Sequence, residues 1–298
     1  MPPKRPYNKP ATTYAQQVAK LRSRGMTVAD EDAAKFHLQH INYYRLGAYW
    51  LPFEDNHGTH QFKAGTAFDD VLKLYTFDRE LRLLLLDAIE RIEVSARAQW
   101  AFRVGHLHGA HAHLDDRLAV KRFHWQKNID DLTKEVDRAD EIFIQHLTAT
   151  YSESLPPIWA VCEVMSLGLL SRWYANLKPM NTRSLIANVY GLDESVLASW
   201  LHHLSVVRNV CAHHSRLWNR DFSRVPPQAT INKPSVLAGQ FIQSHALYNT
   251  LVILLYLMDR VSPGHHWRDR LKTLLGNNGR WLADMGFPTG WDARPVWQ

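Results

Sequence analysis

Along most of the chain, apolar positions recur every three to four residues, the spacing of one face of an α-helix. The clearest run is Phe77, Leu81, Leu84, Leu85, Ala88, Ile89 and Ile92. It predicts a long helix over 69–104, ended by Gly105. Glu90, Glu93 and Arg97 follow one another at i+3 and i+4 on its opposite face. Upstream, a short helix is predicted over 12–24, stopped by Gly25, and Asp30 offers an N-cap for a second helix through AAKFHLQHINYYRLGAYW. Pro52 and EDNHGTHQFKAGT then interrupt the pattern with turn residues. Further helices are predicted over 125–150, through WAVCEVMSLGLLSRWYANL after Pro156 and Pro157, through TRSLIANVYGL, over 197–214 and over 238–261. No alternation of apolar and polar residues is long enough to build a sheet. The expected class is all-α, a helical bundle with short connections.

Three segments are expected: a basic N-terminal arm and helical extension at 1–66, the bundle at 67–262, and an irregular C-terminal tail at 263–298 packed on the bundle. The tail holds five aromatic residues, Trp267, Trp281, Phe287, Trp291 and Trp297. With 46% apolar residues, 11 Trp and 11 Tyr, the chain has the means to bury a core. Cys162 and Cys211 are the only cysteines, too few for a disulfide framework or a cysteine-rich zinc site. The longest apolar run, ALYNTLVILLYLM, is too short to span a bilayer, and MPPKRPYNKPATTY lacks the apolar stretch of a secretory signal. A cytoplasmic protein without a membrane partner is expected.

Charge placement sharpens this. The net charge is +6, and Lys4, Arg5, Lys9, Lys20, Arg22 and Arg24 all precede the first acid, Asp30. A basic segment on a neutral body suits a polyanion such as RNA; the plain alternative is a solvated terminus.

The chemistry concentrates in RNVCAHHSRLWNR, residues 208–220, where three Arg, two Asn and two His stand without an acid. At about 100° per residue, Trp200, Leu204, Val207 and Cys211 form one stripe of the 197–214 helix, and it is apolar. His202, Ser205, Asn209, His213 and Arg216 form a second, and it is polar. Arg208 lies on the border between them. Histidine can take or give a proton near neutral pH. Arginine offers a fork of donors that matches phosphate oxygens. Together they suit RNA cleavage by attack of the 2′-hydroxyl on its own phosphate, a route closed to DNA. The plain alternative is a helix end whose cations complement the C-terminal dipole. Cys211 falls on the apolar stripe and reads as a small buried hydrophobe.

Arg208-Asn209, three residues, then His213 resembles the motif of HEPN ribonucleases. The wider run, with INYYRLGAYWLPF, FDRELRLLLLDAIERIEVSAR and MGFP, resembles the Abi-like family of bacterial abortive-infection proteins over roughly residues 30–290. The resemblance implies a HEPN-type bundle with Arg208, Asn209 and His213 catalytic. It implies a metal-independent endoribonuclease toxin of phage defence, held silent by a cognate RNA or protein antitoxin, and a homodimer that completes a composite site. His214, Arg216, Asn219, Arg220 and His202 are expected to contact RNA or support the site. Glu90, Glu93 and Arg97 are candidates for a polar layer behind the motif, with a solvated ion-paired face as the alternative. A non-catalytic RNA-binding protein is the competing reading.

His106, His108, His111 and His113 invite a metal, but complete no familiar ligand spacing, and a surface loop is expected instead. Tyr43, Tyr44 and Tyr49, with Arg45, could stack on bases or pack in the core. No P-loop or dinucleotide fingerprint occurs, so no nucleotide cofactor is expected.

Overall fold

The computed structural model describes residues 6–229 and 235–298. Lys4 and Arg5 lie outside the described residues. Twelve α-helices, eight short 3₁₀ turns and one minimal hairpin make up the regular structure of the described residues. The fold is all-α.

The chain divides into two compact units, Met1–Glu80 and Leu81–Gln298. The division falls inside one long helix rather than at a linker. The first unit begins with α1 (Tyr14–Ser23), opened by a capping box in which Thr13 and Gln16 exchange side-chain and backbone hydrogen bonds. It packs on α2 (Glu31–His40), and α3 (Tyr43–Trp50) follows. The sequence reading carried one helix through α2 and α3. Asn42 divides them, because its side chain accepts the Tyr44 N–H at 2.8 Å and so starts a new helix. The turn-rich stretch forms a hairpin of β1 (Glu54–Asn56) and β2 (Gln61–Phe62), too short to register as alternation. In the core, the Tyr49 hydroxyl donates to Asp78 at 2.6 Å and Trp50 meets Phe62 edge-on. Tyr49 is buried and Tyr44 exposed, so only the latter is open to stacking.

Helix α4 (Phe68–His108) is longer than its apolar pattern predicted. In the second unit its later turns are joined by α5 (Arg122–Arg138), α6 (Ile142–Thr150), α7 (Ile158–Val164), α8 (Leu167–Asn176), α9 (Met180–Val189), α10 (Glu194–Ala212), α11 (Tyr248–Val261) and α12 (Trp267–Asn277). Here too, breaks divide two expected helices. Residues Ala139–Glu141 separate α5 from α6, and Ser166 separates α7 from α8 by capping the Leu169 N–H at 3.3 Å. Helix α11 is the axis of this core, with every residue from Tyr248 to Met258 buried. It starts ten residues later than expected, because Asn249 bonds the backbone of Ile242 and Ser244 and holds that strand of chain as a loop.

The C-terminal tail is not merely irregular. It contains α12, and three of its aromatic residues form a joined cluster in which Trp291 meets Trp297 at 4.6 Å and Phe287 meets Tyr248 at 5.2 Å. The Trp267 indole donates to the Leu84 carbonyl at 2.7 Å. No helix among the described residues is long and apolar enough to cross a membrane.

Candidate functional site

Helix α10 carries the motif, and its apolar stripe is what holds it in place. Trp200, Leu204, Val207 and Cys211 are all at or near zero exposure; α10 as a whole packs on α8 and α9, and the Trp200 ring meets Tyr256 of α11 edge-on at 5.8 Å. Burying four such side chains contributes roughly 1.5–3 kcal/mol each for the larger ones. The polar stripe is less uniform than its spacing suggested. His202, Asn209 and His213 are exposed, but Ser205 is buried beside Gly168 of α8 and returns its hydroxyl to the His202 carbonyl at 2.7 Å.

His203, the neighbour of His202, is a core residue. Its Nδ1 lies 2.7 Å from the Val225 carbonyl and its Nε2 2.8 Å from the Thr250 hydroxyl. These partners fix a neutral imidazole that donates from Nδ1 and accepts at Nε2. Burial pushes its pKa down to about 4.

The helix stops at Ala212 with His213 as its C-cap. The His214 N–H donates to the Cys211 carbonyl at 3.1 Å and the Ser215 N–H to the Val210 carbonyl at 3.0 Å. This pair of bonds is the Schellman closure, whose turning residue is usually glycine. Here it is His214, at φ 56°. A left-handed conformation costs an L-residue roughly 1–2 kcal/mol. A second such residue follows at Asn219, φ 46°, a type that tolerates this region better.

Arg82 of α4 holds the turn from beneath. It is buried, and its Nη1 donates to the carbonyls of His214 at 3.2 Å and Ser215 at 3.1 Å. Leu217 and Trp218 anchor the far side in the core, the Trp218 indole donating to the Trp281 carbonyl at 3.0 Å. The backbone of the turn is thus bonded on both sides, while the His213 and His214 side chains stand exposed. Arg208 is half-buried and has no acidic partner among the described residues. Arg220 donates from Nε to the Arg216 carbonyl at 3.0 Å, so both belong to the folded turn. The result is a basic surface at a helix C-terminus.

Arg82 is the residue that sequence reasoning missed. Its signal was present: Asp78 and Arg82 are charged residues on the stripe of α4 that is otherwise apolar and buried.

Of the other α4 candidates, one is solvent-facing and two form an ion pair. Glu90 is exposed. Glu93 pairs with Arg97, and Arg97 donates to the carbonyls of Glu163 and Met165 at the end of α7. At 1.5 Å per residue, Glu93 and Arg97 lie about 16 and 22 Å along α4 from Arg82. Arg97 thereby also holds the end of α7.

In the first unit, Lys9, Lys20 and Arg22 are exposed and Arg24 is half-buried. They are not a uniform free arm. Arg22 pairs with Glu31 and bonds the Val28 carbonyl, and Arg24 reaches the Tyr43 hydroxyl at 3.4 Å. Lys9 and Lys20 border a cleft that Tyr7 and Tyr44 also line.

The four-histidine segment is dispersed. His106 turns back on the Phe102 carbonyl, and His108 bonds Thr182. His113 is buried without a hydrogen-bond partner among the described residues, and burial holds its pKa at about 4. No group of three or more His, Cys, Asp or Glu among the described residues is arranged to hold a metal ion.

Comparison with curated proteins and with solved structures gave no match. The family model described as Abi-like protein matches residues 36–219, which span α3, α4 and the whole helical run to α10 and end at Asn219 of the motif turn. With well over half of the sequence matched, including the segment that builds the exposed His-Arg turn, the chain belongs to the Abi-like protein family.

Proposed function

We propose that this protein is a metal-independent endoribonuclease acting in abortive infection, the phage-defence response to which its family points. The observation that supports the reading is the end of α10: exposed His213 and Asn209 and an unpaired Arg208, on a turn whose backbone is fixed by Arg82. A fixed backbone under exposed, reactive side chains is what positioned proton transfer requires.

In the proposed reaction the RNA 2′-hydroxyl attacks the adjacent phosphorus and its proton passes to a base. The bond from phosphorus to the 5′-oxygen breaks, and that oxygen takes a proton. The products are a 2′,3′-cyclic phosphate and a 5′-hydroxyl. His213 exchanges protons with the reacting oxygens, Arg208 stabilises the charge that builds on the phosphate, and Asn209 orients the sugar or the imidazole. Five residues along a helix turn the chain by about 500°, so Arg208 and His213 project roughly 140° apart around α10. A second copy facing the first would supply an Arg208 to each His213 and a second histidine to share the two proton transfers. The proposed active form is therefore a homodimer, with a cognate RNA or protein antitoxin masking the cationic cleft.

That divergence within one chain equally fits a protein that only binds RNA, and one experiment separates the two. Purified protein, Arg208→Ala and His213→Ala are incubated with defined RNAs in EDTA. Cleavage that survives chelation, leaves 2′,3′-cyclic ends and disappears in both variants supports the ribonuclease. Tight binding of RNA that stays intact, after stripping of any co-purified RNA, refutes it and leaves the binding reading.

A further inference from the structure

A second cationic site lies away from the motif, in the groove where α5 packs on α8. Lys121, His124, Lys127 and Asn128 share one face of the first turns of α5, at spacings of three and four. Arg172, Ala175 and Asn176 share the facing side of α8. Together with Val120 they line a cleft of about 380 Å³, within the range that holds small-molecule ligands.

The cleft is built, not incidental. Asn176 accepts the Lys121 N–H at 2.9 Å and donates to the Lys121 carbonyl at 3.0 Å. The Val120 N–H donates to the Asn176 carbonyl at 2.8 Å, and Ala119 bridges Leu177 in antiparallel fashion. These bonds fix the start of α5 to the end of α8. Arg172 is oriented by Asp131 at 2.8 Å, whereas the Lys121 and Lys127 ammonium groups have no ion-pair partner among the described residues. No acid lines the cleft, and the first turn of α5 has neither a side-chain cap nor an acidic residue. Its free N–H groups and dipole favour an anion there.

One observation points to a ligand more complex than phosphate. Asn128 is 1% exposed, and its Nδ2 has no acceptor among the described residues. An unmet buried donor costs roughly 1–3 kcal/mol. It lines a cleft whose other surfaces are the apolar Val120 and Ala175 and the exposed His124 ring. A heterocyclic base would offer that amide a carbonyl or ring-nitrogen acceptor, and its flat face would lie on the apolar wall and the imidazole. Its phosphate would meet the lysines.

We infer that the α5–α8 cleft binds a nucleoside monophosphate, base against Asn128 and phosphate against Lys121 and Lys127. Tyr174 at this end of α8 reaches the Glu194 carbonyl, fourteen residues before Arg208, so the cleft lies toward the other end of α10, about 20 Å from the motif by helical rise. It is a ligand site separate from the proposed cleavage site and does not depend on it.

The test is isothermal titration of the full chain with 5′-AMP, adenosine and inorganic phosphate, and of the His213→Ala protein with a 5′-phosphorylated tetraribonucleotide, which that variant is expected to leave intact. Lys121 and Lys127 are exposed, so Lys121→Glu with Lys127→Glu leaves the fold intact. Binding of AMP that exceeds both adenosine and phosphate, and weakens roughly tenfold or more in the double variant, one decade being 1.4 kcal/mol, supports the site. Asn128→Asp, which replaces the donor by an anion, should weaken AMP further than phosphate. Binding of the tetranucleotide but not of AMP supports the same recognition and assigns its source to an RNA end. Equal binding of AMP and adenosine, phosphate binding as tightly as AMP, AMP binding unchanged in the double variant, or no binding of AMP and tetranucleotide alike overturns it.

Discussion

Replacing Arg82 by methionine removes the support beneath the motif turn. Methionine keeps an unbranched, apolar stem in the buried position while removing the guanidinium. Lost with it are the two hydrogen bonds from Nη1 to the His214 and Ser215 carbonyls, at 3.2 and 3.1 Å. A hydrogen bond from a charged donor contributes about 1.5–3 kcal/mol. Because one nitrogen serves both acceptors, the pair is taken as about 3 kcal/mol, offset by roughly 1 kcal/mol for the apolar replacement. The net loss is about 2 kcal/mol. At 2–4 °C per kcal/mol for a unit of this size, the melting temperature should fall by about 4–8 °C. Calorimetry of Arg82→Met beside Arg79→Met is the assay, since Arg79 is exposed on the same helix and should stay within about 0.5 kcal/mol of wild type. RNA cleavage, measured well below both melting points, should fall for Arg82→Met alone. A melting temperature within 1 °C of wild type would show that the two carbonyls do not need the arginine, and the account of a braced turn would be wrong.

Three further outcomes follow from the same geometry. His214→Gly should raise stability by about 1 kcal/mol by relieving the left-handed conformation, and should impair RNA binding; a drop in melting temperature would mean that the His214 side chain is itself a structural contact. Arg97→Met should lower stability by about 2 kcal/mol through loss of the bonds to Glu163 and Met165, yet leave the cleavage rate per folded molecule unchanged; a selective loss of cleavage would return Arg97 to the active site. His203 and His113 have folded pKa values of about 4 against an ordinary 6.5, so the unfolded chain binds more protons between those values. Their stabilising effect is complete above pH 6.5 and lost as pH falls toward 4, on the order of 3 kcal/mol each; urea unfolding across this window should show stability rising with pH, and a flat profile would refute the neutral buried imidazoles.

The two faces of α10 were more legible in the sequence than their surroundings. Period alone separated the Trp200–Leu204–Val207–Cys211 stripe from Asn209 and His213, because a helix that packs on one side must repeat its apolar residues. Period also places His203 on the apolar stripe, three residues after Trp200 and four before Val207, but it could not show what satisfies a buried imidazole: the partners at Val225 and Thr250 are remote in sequence. Helix breaks at Asn42 and Ser166 were hidden for a related reason. The apolar rhythm continues across them, and only the cap hydrogen bonds interrupt the backbone. Glu93 and Arg97 show the limit most clearly. Their spacing located them on one face of α4, but the spacing of one helix carries no information about what lies opposite, and opposite them is the end of α7.

The indole of Trp218, immediately past the motif turn, donates to the carbonyl of Trp281, sixty-three residues later in the chain. During translation the ribosome completes the motif long before it makes the segment that seats this tryptophan. A nascent chain that has emerged only as far as the turn therefore carries its cationic side chains on an unfinished support. An enzyme that attacks RNA would, by this order of synthesis, acquire its ordered site only after the segment that carries Trp281 has also emerged.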